Sequence, residues 1–358
     1  MEEPCIHGFR ILQQIGEGSS GKIFHSTRIS DNLPCCVKII HKEGSNQTNN
    51  SEECMNFEAE FNAMKNVSHQ HIVKYIDFFQ DNNNYYLFME YCKGNDLLNL
   101  ININHGLKEP IAKKIFIQIA ETMYFLHQIN ICHRDIKPEH IIVREDYNIK
   151  IIDFGLSAIK VTSSLSTFCG SLQYSAPETL MNQPYDGIKA DTWSAGVVLY
   201  AMLTGKLPFD NENSQVTMRL IIFGKYSLSE SISPLEANLI HSMLELDPAQ
   251  RYTFREVLNH PWITGDTSKI LEPQIKLQKK VKYRNIPAPS KLPKKSLNTE
   301  SCIEIRHLQR PNRLTSSTKC FSGVKFKLRK RSTSDSTADF SYVTSPKSIL
   351  TDGKEVTC

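Results

Sequence analysis

The densest group of chemically capable side chains in this 358-residue chain is His133-Arg134-Asp135-Ile136-Lys137-Pro138-Glu139-His140. It offers a carboxylate that can accept a proton, a lysine that can neutralise an anion, and an imidazole that can carry a proton or bind metal. Asp153-Phe154-Gly155 follows 18 residues after Asp135, and Ala176-Pro177-Glu178 comes next. Near the start, Gly16-Glu17-Gly18-Ser19-Ser20-Gly21 fits a glycine pattern whose backbone N–H groups can approach anions closely. Taken alone it reads equally well as a plain glycine-rich hairpin. Lys38 follows Cys36 and Val37 in an apolar run, where an amine rarely sits without a carboxylate partner. Glu58 and Glu60 are candidates for that partner, and an exposed strand-edge lysine is the alternative.

These groups need elements to hold them. Phe9–Ile15 reads as a strand, and Lys22–Arg28 as a second one across the glycine turn. A dinucleotide fingerprint would open a helix instead, so the pattern reads as a β-hairpin. Cys35–His41 and Tyr85–Tyr91 read as further strands, and Phe57, Phe61 and Met64 mark a helix over 57–66. Ile141–Val143 and Ile149–Ile152 are short apolar strands beside the two Asp-containing strings. Pro110 begins a helix with Ile111, Ile115, Ile119 and Met123 on one face. Asp191–Gly205 reads as a buried helix, and Leu235–Leu246 and Phe254–Leu258 as two more. The chain is thus mostly β to about residue 91 and mainly α over 92–263.

Charge divides the chain again. Residues 264–358 carry 20 Lys/Arg against 8 Asp/Glu, a balance of +12, while 1–263 carry 22 against 30, a balance of −8. That last segment has 23 Ser/Thr, no Trp and little periodicity, and it reads as a disordered basic extension. No apolar run reaches the length of a membrane span, and Met1–Cys5 has no leader character. The ten cysteines form no C-x-x-C pair, which points to reduced thiols in a cytoplasmic protein, with the nucleus also compatible.

Together, the glycine hairpin, Lys38, the His133–His140 string, Asp153-Phe154-Gly155 and Ala176-Pro177-Glu178 resemble the eukaryotic protein kinases over about residues 9–263. The resemblance implies a bilobal α+β kinase fold: a β-rich N-lobe with one helix over 9–91, an α-rich C-lobe over 92–263, and the 264–358 tail outside it. It implies ATP and Mg²⁺ as cofactors and protein Ser/Thr hydroxyls as acceptors. Gly16, Gly18 and Gly21 would cover the phosphates, with Ile15 and Ile23 flanking them. Lys38 would pair the α- and β-phosphates and be held by Glu60. Met89 matches the residue before the hinge, Glu90 and Cys92 the adenine-reading hinge itself, and Asp96 the ribose contact. Asp135 would orient the hydroxyl and accept its proton, Lys137 would neutralise the transferring phosphoryl group, and Asp153 would hold Mg²⁺. Asp191 would anchor the catalytic loop, and Glu178 with Arg251 would form an ion pair.

Lys137 two residues after Asp135 resembles the serine/threonine kinases. Leu165–Ser171, Gly205–Asp210 and His260-Pro261-Trp262-Ile263 resemble the AMP-activated and calmodulin-dependent-like group, closest to the microtubule-affinity-regulating kinases and their yeast Kin relatives. That group implies activation by an upstream kinase at Thr167, whose phosphate would pair with Arg134. It also implies Arg-containing substrates, received by Asp96 and Glu139.

One position departs from the family. His140 stands where these kinases carry an Asn whose side-chain oxygen ligates the second Mg²⁺. Mg²⁺ prefers hard oxygen donors to imidazole. Two readings follow: an active kinase, or a nucleotide-binding pseudokinase scaffold. The tail adds a basic run, Lys325–Arg331, compatible with an anionic membrane, an anionic polymer or nuclear import, and nothing points to a specific nucleic acid. Ser332 and Ser316 each follow an Arg by three residues, so the tail also offers itself as a self-docking substrate.

Overall fold

The computed structural model describes residues 4–18, 21–42, 61, 64–154, 158–159, 170–181 and 184–266. Its N-terminal part is one antiparallel sheet in the order β1-β2-β3-β4-β6-β5. The strands are β1 (Cys5–Ile6), β2 (Phe9–Gly18), β3 (Gly21–Arg28), β4 (Pro34–His41), β5 (Tyr75–Gln80) and β6 (Asn84–Glu90). Alternation along each strand separates two faces. Cys35, Val37, Tyr86 and Phe88 join Phe9 and Ile11 in a small core on one side. Cys36, Leu87, Met89 and Tyr75 pack on the other side, into the main core shared with the helices. Lys38 has the parity of Cys36 and pairs across from Leu87, so its side chain leaves from that second face.

The C-terminal part is helical. β7 (Asn95–Asp96) leads into α1 (Leu97–Asn104), followed by α2 (Glu109–Gln128), α3 (Pro177–Leu180), α4 (Gly187–Thr204), α5 (Ser214–Ile222), α6 (Pro234–Met243), α7 (Phe254–Leu258) and α8 (Pro261–Thr264). Between α2 and α3 lie β8 (Ile131–Cys132), β9 (Ile141–Val143), β10 (Ile149–Ile151) and β11 (Ala158–Ile159). These form two small antiparallel sheets, β10-β9-β7 and β11-β8. Together the parts make the bilobal α+β fold that the sequence implies.

The helices begin and end for identifiable reasons. α2 has Pro110 in its first turn and buries Ala112, Ile115, Phe116, Ile119, Met123 and Leu126 along one face. α4 is buried nearly all round, which suits the central pillar of this lobe. A Cβ on Gly196 would come within 2.9 Å of Met243 Cβ, so glycine lets α4 and α6 touch. α4 starts four residues before the expected Asp191, because the Asp186 side chain caps it by accepting from the Ile188 amide. It stops at Gly205, in the left-handed region at φ 67°.

Several elements have no signal in the sequence pattern, α1, β5 and α5 among them. The α1 sequence, Leu-Leu-Asn-Leu-Ile-Asn-Ile-Asn, is rich in residues of mediocre helix propensity. It forms through the Asp96 cap and the burial of Leu97, Leu98 and Ile101. β5 carries Asp77 amid its aromatic residues and is an edge strand stabilised by pairing with β6. The expected helix over 57–66 lies largely outside the described residues, as do Glu58, Glu60, Gly155, Thr167 and the tail beyond residue 266. Among the described residues, no helix is long and apolar enough to cross a membrane.

Candidate active site

The site forms where the second face of the sheet meets the loops around β9 and β10. Lys38 on β4 reaches Asp153 after β10: its Nζ lies 3.0 Å from Asp153 Oδ1. The lysine side chain is only 7% exposed and that of Asp153 27%. An ammonium this well buried is stable only beside a carboxylate.

Asp135 stands on the loop between β8 and β9. Its Oδ1 accepts from the Ser171 amide at 3.1 Å, and its Oδ2 lies 3.2 Å from Lys137 Nζ. Lys137 Nζ also donates to Ser171 Oγ at 3.0 Å. A carboxylate, an ammonium and a hydroxyl thus form one cluster, fed by the catalytic-loop string and by a segment 34 residues further on. Gly170 permits the approach: at φ 96°, a Cβ there would lie 2.9 Å from the Arg134 carbonyl oxygen.

The loop carrying Asp135 is fixed from below. Asp191 on α4, fully buried, accepts from the His133 amide at 2.9 Å and the Arg134 amide at 2.8 Å. His127 on α2 donates its Nε2–H to the same carboxylate at 2.9 Å. Arg134 and Asp153 both adopt positive φ, 69° and 62°. Residues of this kind rarely hold that conformation, and they do so where surrounding bonds over-determine it, often at functional sites.

His140 lies between the two carboxylates. Its Nδ1 is 3.0 Å from the Asp135 carbonyl oxygen, which can only accept, so Nδ1 carries the proton. Its Nε2 lies 3.5 Å from Asp153 Oδ2, and Nδ1 lies 3.5 Å from Asp135 Oδ2. Burial lowers the imidazole pKa to about 4, against the opposing pull of Asp153 and Asp135. The ring is therefore neutral at physiological pH, with its Nε2 lone pair facing a carboxylate oxygen.

The hairpin β2–β3 closes the other side. Gly18 pairs with Gly21, and irregular register precedes Gly16. Gly21, at φ 143°, would place a Cβ 2.3 Å from the Ile39 carbonyl oxygen, so the fold itself demands glycine there. Gly16 differs: an added Cβ would meet only Ile23, at 3.7 Å. Packing does not require its missing side chain, which suits a backbone that a ligand approaches. Ile15 is exposed and Ile23 half-buried on the strands that leave the turn.

At the junction of the two lobes, Met89 is buried and the Glu90 side chain is drawn aside by Lys150, 2.6 Å from its Oε1. The Cys36 and Cys92 thiols both point to the Glu90 carbonyl, at 3.5 and 3.8 Å. Burial raises both thiols to about 12, so they are packing groups and not nucleophiles. Asp96 accepts from the Asn99 amide at 2.7 Å as the cap of α1.

A family description, the protein kinase domain, matches residues 9–263. The chain belongs to the protein kinase family. Among its relatives, maternal embryonic leucine zipper kinases from Xenopus tropicalis and Xenopus laevis are each 34% identical over 277 residues, covering 76% of this chain and 42% of theirs. The protein of the same name from Danio rerio is 35% identical over 267 residues, covering 74% of this chain and 39% of its own. The chain therefore spans about two fifths of the length of these relatives.

Several structural partners of the kinase site had no sequence signal. His127 precedes its Asp191 contact by 64 residues, and nothing in Leu126-His127-Gln128 marks it. Ser171 lies inside the string singled out for Thr167, yet it hydrogen-bonds to both Asp135 and Lys137. Lys150 sits on β10 as an ordinary exposed-looking position of a short strand. Glu178 and Arg251 do meet, in a bidentate pair at 2.6 and 2.9 Å.

Proposed function

We propose that this chain is a protein serine/threonine kinase, transferring the γ-phosphoryl group of ATP to Ser or Thr hydroxyls of proteins. The observation that carries this reading is the cluster of Asp135, Lys137 and Ser171 on one side of His140, with the Lys38–Asp153 pair on the other. An acceptor hydroxyl at Asp135 gives its proton to the carboxylate as its oxygen bonds to phosphorus. The bond from phosphorus to the ADP oxygen breaks. Lys137 offsets the charge on the transferring group, and Lys38 holds the α- and β-phosphates. Gly16, Gly18 and Gly21 cover the phosphates between Ile15 and Ile23, and the Glu90–Cys92 backbone reads the adenine. Asp96 contacts the ribose. Glu60, outside the described residues, would complete the set by pairing with Lys38.

The donor set fits a divalent ion. Asp153 brings a hard carboxylate oxygen, and the ion, when bound, neutralises phosphate charge. His140 is the other residue placed to hold it.

Substrate preference follows from Glu139. Burial raises its pKa, and its Oε2 has no donor among the described residues. A substrate Arg would supply the donor and the countercharge, with Asp96 as a second acceptor. Lys137 supports the serine/threonine reading, and the strings over 165–171, 205–210 and 260–263 support membership of the AMP-activated and calmodulin-dependent-like group, near the microtubule-affinity-regulating branch. Phosphorylation of Thr167 by an upstream kinase would add a partner for Arg134 and order the loop. Residues 9–263 form the catalytic unit and 264–358 a basic appendage, in the cytoplasm or nucleus, whose run 325–331 favours anionic surfaces.

His140 supports a second reading, a pseudokinase that binds nucleotide without turnover. Phosphate transfer to a peptide with Arg three residues before Ser decides between them, using Thr167→Glu protein with Asp135→Asn as the blank. Transfer 10²- to 10⁴-fold above the blank, the usual worth of a positioned base, is expected for the kinase. Transfer equal to the blank, recovered on His140→Asn, would establish the pseudokinase instead.

A further inference from the structure

His140 does more than occupy the place of an amide. Its Nδ1–H is committed to the Asp135 carbonyl, so its Nε2 can only accept. The group it faces, Asp153 Oδ2, is an acceptor too, at 3.5 Å. Lys38 lies against the other oxygen of that carboxylate, Oδ1, at 3.0 Å. His140 Nε2 and Asp153 Oδ2 thus bring a nitrogen and an oxygen ligand atom together where the imidazole is only 13% exposed.

The spacing suits a metal ion. Bonds of about 2.1 Å from a divalent ion to an imidazole nitrogen and a carboxylate oxygen put the two ligand atoms about 3.4 Å apart at a tetrahedral angle, and about 3.0 Å apart at a right angle. The observed 3.5 Å lies near the first value and within a small side-chain adjustment of the second. The ligand types then select the ion. Imidazole suits Zn²⁺, Cu²⁺, Fe²⁺ and Ni²⁺; Mn²⁺ favours oxygen but accepts an imidazole beside it, whereas Mg²⁺ sheds water reluctantly and prefers oxygen throughout.

The geometry points to a mixed nitrogen–oxygen chelate in which His140 Nε2 and Asp153 Oδ2 bind a divalent transition metal, Mn²⁺ among them, in preference to Mg²⁺. Asp135 and Lys137 border this pair without joining it. The Asp135 carbonyl fixes the tautomer from behind, as a supporting acceptor does for ligating histidines. The inference deepens the kinase reading and relies on it only for the nucleotide that shares the ion.

Pulsed electron paramagnetic resonance of Mn²⁺ added to the full chain tests it, with and without a non-hydrolysable ATP analogue. The wild-type protein should show the nitrogen modulation of a directly bound imidazole, and His140→Asn should lose it. In competition, the Mg²⁺ needed to displace half of the Mn²⁺ should fall at least tenfold in His140→Asn. Melting temperatures of both proteins, and the same titration with His140→Gln, guard against a folding artefact. Bound Mn²⁺ without nitrogen modulation, equal Mg²⁺ competition in wild type and variant, or no Mn²⁺ binding at all would each overturn the chelate. Peptide phosphorylation in Mn²⁺ separates the two readings. Nitrogen modulation without transfer keeps the chelate and sinks the kinase, and transfer without modulation does the reverse.

Discussion

The base of the catalytic loop and its rim are built from the same residue types and treat them in opposite ways. At the base, Asp191 accepts three hydrogen bonds, from His133, Arg134 and His127, and is sealed from solvent. Nearby, Arg251 donates to both Glu178 oxygens and to the Glu245 and Lys189 carbonyls. At the rim, the neutral His140 ring turns its Nε2 toward Asp153 Oδ2 at 3.5 Å, and the Glu139 Oε2 meets no donor among the described residues. Saturated polar groups cost little once buried and hold the backbone in place, including the strained φ of Arg134. Unsatisfied groups are costly until a ligand arrives. The contrast holds for the charged groups, Asp191 and Arg251 against Asp153 and Glu139; the His133 Nε2 and Trp193 Nε1 of the base are buried without a hydrogen-bond partner among the described residues.

The largest test of that contrast is at the base. Arg251 is completely buried, stacked 5.0 Å from the Trp193 ring, and every bond it makes is to the scaffold. Arg251→Ala leaves the Glu178 carboxylate buried without its partner. Removing one member of a buried pair costs about 3–5 kcal/mol. Chemical denaturation should show a loss of that order. A loss under about 1 kcal/mol, the value of an exposed ion pair, would mean the base is no better satisfied than the surface.

At the rim the same logic predicts a kinetic effect and a small structural one. Glu139→Gln removes the charge that an incoming Arg would meet and relieves a buried carboxylate. KM for the Arg-containing peptide should rise about tenfold, equivalent to about 1.4 kcal/mol. KM for a peptide with Ala in place of Arg should stay where it was, and the melting temperature should hold or rise. Equal effects on both peptides would place Glu139 with the scaffold after all.

How far the sequence revealed these two regions follows from the range of the contacts. Lys38, Asp135 and Asp153 sit in contiguous strings with apolar runs beside them, so local pattern exposed them. The helix α2 and the strands β2 to β4 were equally plain from periodicity. What escaped depends on tertiary placement: the α1 helix, in which Ile and Asn of middling propensity are carried by a cap and a buried face, and the reach of His127 to Asp191. The identity of His140 was readable at once, but its tautomer and the lone pair it turns toward Asp153 depend on a carbonyl five residues away in sequence. Sequence named the rim residues, and only the fold shows which of them are satisfied.

The smallest effect comes from a second buried imidazole, which serves as a control for His140. His260 caps α8 with Nδ1 accepting from the Trp262 amide at 3.1 Å, and its Nε2–H donates to Asn238 Oδ1 at 2.9 Å. Burial lowers its pKa, as it does for His140. Both nitrogens are satisfied only in the neutral ring, so protonation removes the cap. The folded-state pKa lies below the unfolded value near 6.5, so the unfolded chain takes up more protons as the pH falls through that range. The stability that His260 contributes is therefore full above about pH 6.5 and is lost below it. His260→Asn keeps a capping oxygen that does not titrate. Between pH 7 and pH 5 its melting temperature should fall less than that of the wild-type protein, and adding Mn²⁺ should leave this difference unchanged. A parallel fall in the two proteins would show that the scaffold imidazole is no more committed to one protonation state than an exposed histidine, and would remove the scaffold side of the contrast with His140.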